Sequence, residues 1–125
     1  MKTQVHSNNL PAAAGPFSQA IEAGGFVFAS GQLPVVMPDG HVPEGIEAQT
    51  RASLNNLSEV LKAAGCTLND VVKTTVFLAD IADFGTVNTI YAEYFNAPFP
   101  GRSCYQVAAL PKGSLVEVEA IAVKP

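Results

Sequence analysis

The chain predicts an α+β fold of one sheet with two helices on one face. Three observations carry that expectation. A helical stripe runs over residues 46–64, β-branched runs alternate on either side of it, and glycine- and proline-rich breaks separate them all. The 125 residues suit one domain, 1–125. A chain of this size buries roughly two thirds of its unfolded surface, enough for a real core.

A short strand is expected near residues 3–6. Gln19 to Ala23 and Phe26 to Ser30 are apolar-rich runs joined by Gly24-Gly25, which supplies the positive φ angles of a tight hairpin turn. Gly31 to Pro43 holds three prolines and Asp39-Gly40, and reads as a loop. In the helix, Ile46, Thr50, Leu54, Leu57, Leu61 and Ala64 recur at spacings of three and four, and Gly65 offers the C-terminal cap. Asp70 to Leu78 is a β-branched run expected to be covered on both faces. Asp83 is the expected N-cap of a second helix, whose stripe is Phe84, Val87, Tyr91 and Tyr94. Asn96 to Gly101 breaks that helix with two prolines. Arg102 to Val107 and Leu115 to Val123 are the last strands. Two helices cover one face of the sheet, so the other meets water or another subunit.

The formal net charge is −4 and no basic run exists, which disfavours general nucleic-acid binding, since that affinity comes from phosphate neutralisation. Residues 1–10 lack the apolar core of a signal peptide, and no apolar run approaches membrane-spanning length. Two cysteines make no disulfide framework, so a reducing cytoplasm is the expected compartment. Only 14% of residues are charged against 48% hydrophobic. Either apolar surface is covered by another chain, or the core is simply rich in Ala and Val.

Arg102, one of two arginines, precedes an apolar strand, where a charge is costly unless paired. Its planar fork suits a carboxylate, so it serves either a small acidic ligand or an acid of the protein itself. Glu117 and Glu119 alternate with Val116, Val118 and Ala120. With the valines toward the helices, both carboxylates face the other way. Arg102, Cys104 and Gln106 share one face of their own strand. If the two strands pair antiparallel, Arg102 and one glutamate meet on a common surface. Cys104 has no neighbouring histidine and reads as a small buried hydrophobe rather than a nucleophile. His6 and His41 are isolated, so no metal site is expected.

Several segments, taken in order, resemble the RidA/YjgF family of reactive-intermediate deaminases. They are Gly15-Pro16-Phe17-Ser18-Gln19-Ala20, Ala29-Ser30-Gly31-Gln32-Leu33-Pro34, Val72-Lys73-Thr74-Thr75-Val76-Phe77, Asp83-Phe84 with Asn88 and Tyr91, Phe99-Pro100-Gly101-Arg102-Ser103-Cys104, and Glu117-Val118-Glu119-Ala120-Ile121-Ala122. The resemblance spans almost the whole chain. It implies a chorismate-mutase-like protomer with a mixed sheet, a homotrimer, and active-site clefts between adjacent subunits. It also implies cofactor-free hydrolysis of 2-imino acids and their enamine tautomers to 2-keto acids and ammonia. Arg102 then binds the substrate carboxylate and Glu117 positions or activates water. Phe17, Ser30, Gly31, Asn88 and Cys104 line the cleft, Gly31 and Cys104 through main-chain groups. One departure stands out: the family usually has tyrosine where this chain has Phe17, so the ring is kept and a hydroxyl lost. Other functions open to such a chain are a non-catalytic ligand-binding trimer, a translation-inhibiting endoribonuclease and a holdase chaperone.

Overall fold

In the computed structural model, which describes residues 1–125, six strands form a single mixed sheet. They are β1 (Thr3–Val5), β2 (Ala20–Ala23), β3 (Phe26–Gln32), β4 (Val71–Leu78), β5 (Gly101–Gln106) and β6 (Val116–Val123), in the spatial order β1-β2-β3-β6-β4-β5. All neighbours pair antiparallel except β4 and β5, which are parallel. A parallel pair needs a long crossover, and α2 (Phe84–Tyr94) supplies it. The other helix, α1 (Ile46–Ala63), connects β3 to β4.

The expected α+β layer is therefore present, and α1 lies where its periodicity predicts. Thr50, Leu54, Leu57, Val60 and Leu61 of α1 are fully buried. Gly65 ends α1 at φ 79°, while the Cys66 N–H reaches back to the Leu61 carbonyl. Gly24 and Gly25 turn the β2–β3 hairpin with φ of 60° and 82°. The helices cover Val27 and Ala29 of β3, Val71, Thr74, Val76 and Leu78 of β4, and Val116, Val118, Ala120 and Ala122 of β6.

Three local expectations need correction. Gly31 is not loop: β3 continues to Gln32 through a register shift between Ala29 and Gln32. Asp83 precedes α2 but its side chain makes no cap bond; Asp80 instead accepts the Ala82 N–H and starts the short 3₁₀ turn leading into the helix. The β4 strand is covered well on the helix side only, since Lys73, Thr75 and Phe77 on its other side remain partly exposed. That open side of the sheet also carries Phe26, Phe28, Tyr105 and Val123, each at least 42% exposed.

Candidate active site

The sheet register sorts the candidate residues into two clusters on opposite faces. Thr74 of β4 sits between Arg102 of β5 and Ala120 of β6, so all three point toward the helices. Phe77 sits between Tyr105 and Glu117, and these three point to the open face. Arg102 and Glu117 therefore do not share a surface of one protomer, contrary to the antiparallel pairing entertained from sequence. The physical reason is the register: Arg102 lies opposite Thr74 and Glu117 opposite Phe77, an odd spacing along β4 that puts the two side chains on opposite faces. Two strand spacings, about 10 Å, and the thickness of the sheet divide the two groups.

The first cluster is built on β5 and α2. Phe84, Asn88 and Tyr91 fall at positions i, i+4 and i+7 of α2, on one stripe. The Arg102 guanidinium lies over that stripe, 5.4 Å from the Phe84 ring centre and 4.9 Å from that of Tyr91. The ion pairs of the chain join His41 to Asp39, Arg51 to Glu47 and Glu93, and Lys124 to Glu22; Arg102 takes part in none. The alternative of an internal acidic partner is thus excluded within the protomer. Asn88 is half-buried on the same stripe, and Cys104 follows Arg102 on the same face, packed against the core. Burial pushes the Cys104 thiol up, against the opposing pull of Arg102, which keeps it protonated and suits a wall rather than a nucleophile. Gln106, also on this face, accepts the Ile81 N–H ahead of α2.

The second cluster joins Glu117 to Gly31, and Gly31 and Ser30 in turn to the cavity walled by Phe17. The irregularity in β3 takes Ser30 and Gly31 out of the ladder with β6. The Ser30 N–H donates to the Gln19 carbonyl at 3.0 Å, and its hydroxyl to the Ser18 carbonyl at 2.6 Å. Gly31 lies directly against Glu117: a Cβ built there would come within 2.8 Å of the carboxyl carbon. Only glycine permits that approach. The half-buried Glu117 carboxyl has no cationic partner. Burial first, and the Glu119 charge second, push its pKa above the ordinary glutamate value. Phe17 is 56% exposed and walls a cavity of about 140 Å³ with Ser30, Gly31, Leu10 and Asn56.

Sequence reasoning missed three participants. Phe84 and Tyr91 read as helix packing, although they seat the guanidinium; their i, i+7 spacing with Asn88 between them was the available signal. Lys112 is the one charged residue bordering the Phe17 cavity and holds a left-handed φ of 61°, which no local pattern announces. His6 and His41 bond only to Asn8 and Asp39, and no three acidic, histidine or cysteine side chains converge.

The α+β layer thus carries an unneutralised guanidinium on one face and an unneutralised carboxyl on the other. The Endoribonuclease L-PSP family model matches residues 7–124. The chain belongs to this family, the RidA/YjgF group its motifs resemble. It is 52% identical to the 2-iminobutanoate/2-iminopropanoate deaminase of Mus musculus over 121 residues, covering 96% of this chain and 90% of that one. It is 46% identical to the protein of the same name from Escherichia coli K12, covering 99% of each. Among solved structures, E. coli TdcF with bound serine superposes with a TM-score of 0.94 at 41% identity, over 98% of this chain and 99% of that one.

Proposed function

We propose that this chain hydrolyses 2-imino acids, such as 2-iminobutanoate and 2-iminopropanoate, to 2-keto acids and ammonia, in clefts shared between subunits of a homotrimer. The observation that carries the reading is the state of Arg102: it rests on two aromatic rings with no acid of its own protomer beside it. A half-buried guanidinium left without an acidic partner is free to take an anion from outside. The names of the relatives support an imino acid as that anion. The serine bound to TdcF supports a ligand carrying both an α-carboxylate and an α-nitrogen.

The chemistry asks little of the protein. A protonated imine carbon is already electrophilic, so neither a cofactor nor a covalent nucleophile is required. Arg102 holds the carboxylate through two parallel N–H bonds, while Asn88 and the Cys104 main chain border the same end. From the neighbouring subunit, Glu117 takes a proton from water as the oxygen adds to the imine carbon. Glu117 returns that proton to the amino nitrogen of the resulting carbinolamine; as the C–N bond breaks and the C=O bond forms, the hydroxyl proton passes to the departing ammonia, which leaves as ammonium. Ser30, whose hydroxyl proton is already given to Ser18, offers lone pairs to the substrate N–H. Gly31 lies outside the β3–β6 ladder, which leaves its main chain available to the ligand. Phe17 walls the cleft but adds no hydroxyl.

Two copies are needed because one protomer sets Arg102 and Glu117 on opposite faces. The apolar open face, with Phe26, Phe28 and Val123, supplies surface for the assembly. The test is keto-acid release from enzymatically generated 2-aminoacrylate and 2-iminobutanoate. The natural chain is expected to accelerate it, and Arg102→Ala to lower kcat/KM roughly ten- to hundred-fold, the worth of charge-assisted hydrogen bonds. A folded natural chain that gives no acceleration would overturn the reading in favour of ligand binding without turnover.

A further inference from the structure

We infer that Tyr91, tethered by Thr74, is a positioning residue that holds the Arg102 guanidinium in the plane required to receive a carboxylate; this rests on the reading of Arg102 given above. Thr74 is fully buried, on a face of β4 otherwise made of Val71, Val76 and Leu78. A hydroxyl in such surroundings needs a partner, and Thr74 Oγ1 has one, the Tyr91 hydroxyl at 2.8 Å. Tyr91 is itself only 6% exposed, and its ring leans on Phe95 with 4.5 Å between centres. The phenol is thus fixed at its tip by a hydrogen bond and along its side by packing.

The two rings beneath Arg102 differ in this respect. Phe84 is 40% exposed and has no polar handle, whereas Tyr91 is locked into the core. A guanidinium lying on a ring gives its face to the ring and keeps its in-plane N–H groups free. At 4.9 Å from the guanidinium carbon, a ring held in place limits the directions in which the fork can lie. Valine at position 74 would fill the same space as threonine, so the hydroxyl contributes orientation rather than volume. Burial pushes the Tyr91 phenol up despite Arg102, so it stays neutral and competes for no positive charge.

The experiment compares Tyr91→Leu, Tyr91→Phe, Thr74→Val and the Thr74→Val/Tyr91→Phe double variant in the native oligomer. The readouts are kcat and KM for 2-iminobutanoate, the Kd of 2-ketobutyrate by titration, and the melting temperature. Tyr91→Leu is expected to raise KM and Kd roughly three- to thirty-fold, with kcat nearly unchanged. Tyr91→Phe and Thr74→Val should each raise them about two- to tenfold, and the double variant no further, because both remove one shared bond. The two near-isosteric variants carry the test if Tyr91→Leu does not fold. Lowered melting temperatures with unchanged KM and Kd would overturn the inference, leaving Tyr91 a core residue. So would an Arg102→Ala protein that binds 2-ketobutyrate normally. A natural chain that binds 2-ketobutyrate through Arg102 but turns over no imine would overturn the deaminase reading alone, and the Kd series would still decide the role of Tyr91.

Discussion

Glu117 carries its carboxyl half-buried, beside Glu119 and without a cation, so the ionised form is disfavoured by desolvation first and like charge second. A base must be ionised to take a proton from water. With a pKa above the ordinary glutamate value, the acid limb of kcat should lie at higher pH than a solvated glutamate would give. Glu119→Gln removes the like charge and should move that limb to lower pH. Glu117→Gln should lower kcat about 10²–10⁴-fold. The stability effect has the opposite sign. A carboxyl whose pKa is raised in the folded state contributes stability that is present below its unfolded pKa and lost as pH rises through the folded one. At neutral pH, Glu117→Gln should therefore melt no lower than the natural chain, and higher if the strain of the unpaired charge dominates. pH–rate profiles and melting curves on the same three proteins check both signs. A limb unmoved by Glu119→Gln would break the link between Glu119 and Glu117.

At the level of elements, the decisive feature is the irregularity of β3 at Ser30-Gly31. It places a main chain without a Cβ against the Glu117 carboxyl. Gly31→Ala would meet the end of a flexible side chain rather than backbone, so the fold should tolerate it and the carboxyl should move. The expected result is a kcat about a hundredfold lower with a melting temperature within a few degrees of the natural chain. A large drop in stability instead would mean that Gly31 serves β3 rather than Glu117. The sequence shows some of these elements openly. The α1 stripe from Thr50 to Leu61 and the Gly24-Gly25 turn are local, and periodicity or φ preference reveals them. The face of Glu117 was also legible, because Val116 and Val118 mark the helix side of β6. The face of Arg102 was not. No residue of β5 is fully buried, so nothing on that strand marks which side meets the helices. That the neighbour of β5 is β4 rather than β6 is a long-range fact with no local signature. The resemblance could name Arg102 and Glu117 together, but not that the sheet separates them.

For the whole molecule, that separation makes a demand no single protomer can meet. A cleft using both groups must take Arg102 from one copy and Glu117 from another. In a closed ring each cleft then has one donor of each kind. In the proposed trimer, Arg102→Ala is expected to keep about a tenth or less of the natural kcat/KM and Glu117→Gln about a hundredth or less of kcat. Mixed trimers, formed by co-refolding equal amounts, should exceed both. A cleft is intact when its arginine comes from a Glu117→Gln subunit and its glutamate from an Arg102→Ala subunit. Random assembly brings those together in about a quarter of clefts, so roughly a quarter of the natural rate should return. Mixing the folded homotrimers without subunit exchange should restore nothing, which controls for residual activity. If both groups acted from one subunit, every cleft in the mixture would lack one of them, and the rate would stay at the level of the parents. Light scattering on the same samples supplies the second arm. A monomeric natural chain with full activity would contradict the shared cleft, whereas Phe28→Glu on the open face should yield monomers that retain Arg102 and Glu117 and lose turnover.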